Sequence, residues 1–290
     1  MRNDNPPDLQ SSPRLKGNVQ LQKVGKVYQS GDKYEVILRD CTFDIPPGKL
    51  TVLIGPSGCG KSTLIKLVAG YDNPTAGAIL MDQQPINSIG PDRTVVFQET
   101  ALFPWMSLQD NVMFGPIQQG MDRAQAHEQA HKLLTKVGLA GFETKFPDQV
   151  SGGMQRRAEV ARALINNPKL MMLDEPFRGL DHMSRGLMQE YFSTLFEETG
   201  MTTLFVTSEV DEAIFLADRI VVLSYKPTCV KEIVDVPLPR PRQFSMLTTP
   251  VYARLKEHIL GLLYEEALKG FAAGAIGAKE IEQLTSAVQG

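Results

Sequence analysis

The sequence predicts an α/β fold: a mostly parallel sheet with helices on both faces. Three observations predict it. Strand-length apolar runs recur at Lys169–Leu173, Thr202–Thr207 and Arg219–Ser224, with helical periodicity between them. The segment KLTVLIG (49–55) reads as a strand buried on both faces. A glycine-rich loop ends that strand, and a helix opens near Lys61.

The elements follow in order. Residues 1–17 are polar and proline-rich and read as a disordered tail without the apolar stretch of a secretory signal. From Asn18 the pattern alternates: Val19, Leu21 and Val24, then Val36, Leu38, Cys41, Phe43 and Ile45, which predicts antiparallel strands. Pro46-Pro47-Gly48 is a turn. Between about Glu99 and Asn167 helical periodicity takes over, clearest in Ala124–Val137 and Gly152–Asn166. The proline-rich VPLPRPRQ (236–243) ends the globular pattern. Beyond it, Val251, Leu255, Ile259, Leu262 and Leu263 share one face of an amphipathic helix over 250–270, followed by a small-residue hinge, FAAGAIGA, and a short helix. That appendage reads either as a tail helix packed on its own domain or as a dimerising or partner-docking element.

Composition bounds the function. The 290 residues allow one large domain, or one with an appendage. With 42% hydrophobic and 22% charged residues the chain is of ordinary globular type. A net charge of −3 argues against nucleic-acid binding by bulk electrostatics. Cys41, Cys59 and Cys229 are odd in number and far apart, so they read as free thiols in a reducing compartment. Nowhere do eighteen apolar residues run together, so work at a membrane requires docking on an embedded partner.

The chemistry starts at Gly55-Pro56-Ser57-Gly58-Cys59-Gly60-Lys61-Ser62-Thr63, a GxxxxGK[ST] pattern between a strand and a helix. A random chain of this length shows that pattern roughly once in a hundred. Glycines let the backbone curl so that its N–H groups face phosphate oxygens, and the helix N-terminus adds its positive dipole end. Lys61 suits the β- and γ-phosphates, the Ser62 hydroxyl suits Mg²⁺, and Thr63 sits nearer the α-phosphate. Cys59 has no evident chemical role, although a lowered thiol pKa is an option there. Downstream, the strand KLMMLDEP (169–176) ends in two acids. Asp174 can hold the water shell of Mg²⁺, and Glu175 can polarise the attacking water as general base.

Residues 150–157, VSGGMQRR, resemble the signature motif of ABC-transporter ATPases and precede Asp174 at that family's spacing. Phosphate loop, SGGMQ and LMMLDEP in this order make the resemblance specific, and it covers about residues 18–240. It implies a P-loop NTPase (RecA-like) core, an antiparallel β subdomain, a helical subdomain at about 99–167 and a C-terminal helical extension at 241–290. It implies ATP and Mg²⁺ as ligands. By resemblance Gln98 is the Q-loop glutamine, a Mg²⁺ ligand that senses the membrane partner. Ser151, Gly152 and Gly153 would contact the γ-phosphate held by an opposite subunit. Asp181 resembles the D-loop aspartate, and Tyr28 the aromatic that stacks on adenine. The stretch 99–115, with Leu102, Phe103, Trp105 and Met106, is either subdomain core or the groove for a coupling helix.

One departure from the family matters, at position 208; the D-loop also reads RGLD (178–181) where SALD is common. Ser208 in VTSEVDEA stands where a histidine normally contacts the γ-phosphate and the attacking water. A serine hydroxyl is shorter and carries no positive charge. Two expectations follow and stay open: slow or absent hydrolysis at this chain's own site, or a site in which Glu175 and Lys61 suffice. Residues 103–115, 208–224 and 236–242 resemble most the importer ATPases for nitrate, sulfonate, taurine or bicarbonate. That group implies transmembrane permease subunits, a second ATPase subunit, an indirect solute-binding protein, no nucleic acid, and a peripheral place on the cytoplasmic side of the inner membrane. The alternative is an ATP-binding regulatory or structural subunit with little hydrolysis.

Overall fold

The computed structural model describes residues 17–288, except the side chains of Ser30 and of 273–288. Apart from Gly17, the expected tail lies outside the described residues. Two long strands, β1 (Val19–Ser30) and β2 (Lys33–Ile45), pair antiparallel at the start. β3 (Leu50–Ile54) leads into α1 (Lys61–Ala69). The chain then returns through β4 (Ala76–Met81) and β5 (Gln84–Pro85), completing a sheet of order β2-β1-β4-β5. After β6 (Arg93–Val96) come three helices, α2 (Leu108–Gln118), α3 (Arg123–Lys136) and α4 (Gly152–Leu164). The remainder is β7 (Leu170–Asp174), α5 (His182–Thr199), β8 (Thr202–Thr207), α6 (Val210–Leu216), β9 (Arg219–Leu223), β10 (Val230–Asp235) and α7 (Pro250–Val288).

The second sheet runs β10-β9-β3-β8-β7-β6; all its neighbours are parallel except the β10–β9 pair. Its strands read as continuous apolar runs because both faces are covered. Leu50, Val52 and Ile54 pack into the core beneath α5, α6 and α7, where Phe177, Phe192 and Phe205 meet with ring centroids 5.6–6.1 Å apart. Leu53 points the other way, into the layer shared with α1 and the antiparallel sheet. A third cluster, with Leu108, Val112, Leu134 and Ala161, holds α2, α3 and α4 together. The four-stranded sheet and this three-helix arm flank the parallel core, in line with a P-loop NTPase cassette.

Register positions the site. Val96 lies opposite Leu173, Asp174 opposite Val206, and Ile54 opposite both Thr207 and Val222. The loops after β3, β6, β7 and β8 therefore leave the sheet along one edge, where α/β sheets place their ligands.

Two expectations need correction. The proline-rich segment 236–243 does not end the globular pattern. Arg240 bonds Asp218 and the Leu216 carbonyl at 2.9 and 2.8 Å, and Arg242 reaches the Ala217 carbonyl, so the segment is strapped to α6. The small-residue stretch at 271–278 is not a hinge: α7 runs unbroken through it. Alanine is the best helix former, and the stretch holds four alanines to two glycines, each glycine costing roughly 1 kcal/mol.

The near half of α7 docks on its own domain. Tyr252 and Ile259 are buried, and the Tyr252 hydroxyl donates to Asp211 Oδ1 at 2.7 Å. Glu266, 2% exposed, accepts from the Tyr225 N–H at 2.9 Å, from Lys231 at 2.9 Å and from Lys269 at 2.6 Å. Burial alone would raise its carboxyl; the three donors outweigh burial and hold it at about 2. A depressed folded-state pKa gives stability that is complete above the unfolded value of about 4.5 and is lost as pH falls toward 2. Hydrogen exchange should therefore show the 259–266 turn opening as pH drops through that window. Glu266→Gln should open the same turn already at pH 7 and flatten the dependence.

Candidate nucleotide site

The loop after β3 has a shape that suits phosphate. Gly58 and Gly60 take φ of 74° and 103°, which side chains resist, and this turns the loop over the start of α1. That helix opens on Gly60 with no side-chain cap and no acid in its first turn. Its leading N–H groups and dipole are thus available to an anion. The Lys61 ammonium is buried and waits on the carbonyls of Gly55 and Pro56 at 2.9 and 3.1 Å. The Cys59 side chain faces inward among Leu53, Leu64 and Leu223. Burial raises its thiol despite the Lys61 charge, so the option of a lowered pKa is overturned.

Asp174 ends β7 beside the Ser62 hydroxyl. Burial raises its carboxyl, the Ser62 hydrogen bond opposes this, and the neighbouring Glu175 charge adds to the rise. A desolvated carboxylate against a hydroxyl suits a hard divalent cation. Among the described residues no group of three or more His, Cys, Asp or Glu forms a ready-made cation cage. Glu175 sits at φ 43°, a conformation uncommon for a non-glycine residue, with its N–H on the Val206 carbonyl at 2.9 Å.

Gln98 lies just past β6, and Ser208 just past β8. Both are exposed at the edge that carries Gly55 and Asp174. Tyr28 arrives from the antiparallel sheet. Its hydroxyl donates to Asp72 Oδ2 at 3.0 Å, Lys26 lies 4.9 Å from its ring centre, and Thr63 of α1 is in contact. Burial and the Asp72 carboxylate raise the phenol, while the Lys26 hydrogen bond holds Asp72 low. The ring remains 38% exposed.

Ser151 caps α4 by accepting the Met154 N–H at 3.3 Å. Gly152 and Gly153 face open space: an added Cβ meets nothing within 4 Å. Asp181 caps α5 through the Ser184 N–H, and the Ser184 hydroxyl, with that N–H second, holds its carboxyl low. These residues stand on the surface of the arm and of α5.

The structure adds groups that sequence reasoning missed. Arg156 of α4 donates to the carbonyls of Phe97 and Gln98, both at 2.6 Å, and pairs with Glu159 at 2.6 Å. Glu159 in turn accepts the Ala101 N–H at 2.5 Å. The helix that begins with SGG is thereby fastened to the loop that carries Gln98. Two charges three apart on the apolar side of α4 were the available signal. In the arm, buried Asn111 bonds the backbone of Phe103, Met106 and Ser107. This loop presents Trp105, 70% exposed, stacked on Phe103 beside a 250 Å³ cavity lined by Phe97, Phe114 and Arg162. Among the described residues no helix is long and apolar enough to cross a membrane.

Comparison with known proteins agrees with this geometry. Residues 38–178 match the ABC transporter family. The chain is 37% identical over 262 residues to an uncharacterized ABC transporter ATP-binding protein of Methanocaldococcus jannaschii, covering 90% of this chain and 97% of the relative. It is 38% identical to the nitrate import ATP-binding protein NrtD of Synechococcus elongatus, covering 86% and 92%. Identity to the taurine import ATP-binding protein TauB of Yersinia pseudotuberculosis is 40%, covering 79% and 92%. A dimeric ATP-binding cassette solved with ADP and Pi matches with a TM-score of 0.67 and 29% identity, covering 76% of this chain and all of that one. The protein belongs to the ATP-binding subunits of ABC transporters, and is an ATPase of that class.

Two outcomes are expected. Tyr28→Ala should weaken ATP binding about tenfold in calorimetry, since stacking on a base contributes about 1–3 kcal/mol, and Tyr28→Trp should keep it. Arg156→Met strands Glu159 in the interior and should destabilise the chain by about 3–5 kcal/mol in urea unfolding.

Proposed function

We propose that this chain is the ATP-hydrolysing subunit of an importer that takes up a small anionic solute, of nitrate, sulfonate, taurine or bicarbonate type, through a separate permease. The observation that carries the proposal is the single sheet edge shared by the phosphate loop, Asp174, Glu175 and Gln98. The solute class draws its support from the nitrate and taurine import relatives. The subunit docks peripherally on the cytoplasmic face of the membrane, with Trp105 and the adjoining cavity receiving the permease.

The residues divide the work. The N–H groups from Gly58 to Thr63 and the Lys61 ammonium hold the triphosphate, and Tyr28 holds the base. Ser62, Asp174 and Gln98 would hold Mg²⁺, which when bound supplies positive charge that neutralises the phosphates. Glu175 takes the proton of the water that attacks the γ-phosphorus while the bond to ADP breaks. Ser151, Gly152 and Gly153 of a second ATPase subunit cap the γ-phosphate, and Asp181 lies at the same junction. Closure around ATP and release after hydrolysis then reach the permease through Gln98 and the Arg156 clamp.

Ser208 favours a second reading: a subunit that binds ATP and pairs with a sister ATPase but hydrolyses little itself. One experiment separates the two. The chain is reconstituted with its permease in vesicles, and ATP-driven uptake of nitrate, taurine and bicarbonate is measured for wild type and Glu175→Gln. Loss of both uptake and phosphate release in the variant, with ATP binding intact, is the expected result. Equal phosphate release from the two would leave only the regulatory reading.

A further inference from the structure

The space around Glu175 holds more charge than the proposed mechanism has used. Glu175, Arg178, Arg185, Ser208, Glu209 and Glu212 line a cavity of about 30 Å³, room for a water molecule or two. Most of these charges are already committed. Glu212 is buried and accepts from Gln189 at 3.0 Å, and burial raises its carboxyl. Arg185 faces Glu209 at 3.5 Å and also donates to the Leu180 carbonyl. Glu175, 13% exposed, has one cation in contact among the described residues: the Arg178 guanidinium, 3.0 Å from Oε2.

Stability does not explain this pair. Arg178 is 63% exposed, and an ion pair so open to water adds little to folding. Its chemical effect is larger. The base must work beside a triphosphate, so negative charge accumulates around it. Ser208, on the same cavity, is neutral in every state. A guanidinium is positive at any working pH, and bonding at Oε2 leaves the other carboxylate oxygen unengaged.

We propose that Arg178 is the positioning residue of this site: it fixes the Glu175 carboxylate by Oε2 and supplies the positive charge that the serine at position 208 cannot. The inference rests on the hydrolytic reading above and adds a residue to it.

The test uses the full chain assembled with its permease. Phosphate release is measured against ATP concentration for wild type, Glu175→Gln, Arg178→Ala, Arg178→Lys and the double variant Arg178→Ala/Ser208→His. Thermal melts check that every variant folds. Arg178→Ala should lower kcat tenfold or more with KM for ATP within twofold. Arg178→Lys should retain at least a third of wild-type kcat. The double variant should regain at least fivefold over Arg178→Ala, because an imidazole brings positive charge back to the cavity. An Arg178→Ala kcat equal to or above wild type overturns the proposal, as does a loss of turnover that neither lysine nor the new histidine restores. Wild type no faster than Glu175→Gln overturns it as well, and is the one outcome that also removes the hydrolytic reading.

Discussion

Five parallel strands end along one edge, each within a residue of its neighbours, and the chemistry of this chain depends on that register. A one-residue slip of β7 against β8 would turn Asp174 from the edge toward a covered face and carry Glu175 away from the Val206 carbonyl. The slip is prevented by alternation within the strands. Met171 and Leu173 are committed to the core under α5, and Leu170 and Met172 to the layer shared with α1. Burial on both faces thus does two jobs: it makes the sheet stable and aligns the loops that leave it.

The charges at the edge are arranged in advance of their ligands. Lys61 is buried on two carbonyls rather than on a carboxylate. Carbonyl dipoles hold an ammonium less firmly than a full negative charge would, so the lysine can turn to a phosphate at small expense. Burial raises the Asp174 carboxyl, and the hydrogen bond from Ser62 opposes that rise. The start of α1 carries neither cap nor acid. A lysine on neutral carbonyls, a desolvated carboxylate on a hydroxyl and an uncapped helix start are groups whose chemistry suits a polyphosphate.

How much of this the sequence revealed depended on range. The phosphate loop and LMMLDEP were legible because strand, turn and helix start are contiguous, and each residue acts on backbone beside it. The two faces of β1 and β2 were legible because alternation is local too. The Arg156 clamp was not, since its carbonyl partners lie 58 and 59 residues earlier. The strap at Arg240 and Arg242 was hidden by its prolines, which look the same in a linker as in an extended segment packed on a domain. The continuation of α7 was missed because glycine was weighed more heavily than the alanines around it. At Ser208 the sequence displayed a missing charge and at Arg178 an unusual one, while the contact between Arg178 and Glu175 became visible only in three dimensions.

The connection between β9 and β10 shows how parts distant in sequence stiffen one another. Thr228 is buried there. Its N–H donates to the Ile37 carbonyl at 2.8 Å, its own carbonyl accepts the Arg39 N–H at 2.8 Å, and its hydroxyl donates to the Cys59 carbonyl in the phosphate loop. Three residues earlier, Tyr225 gives its N–H to Glu266 of α7, and its ring fills the space that a side chain at position 270 would need. One short hairpin therefore ties the phosphate loop to the antiparallel sheet on one side and to the C-terminal helix on the other. A glycine-rich loop left alone would lose much conformational freedom on gripping a nucleotide, and that loss would subtract from affinity. Held by Thr228 from outside, the loop meets part of that loss during folding. The appended helix, by anchoring the hairpin at Glu266, is part of the support for the phosphate loop.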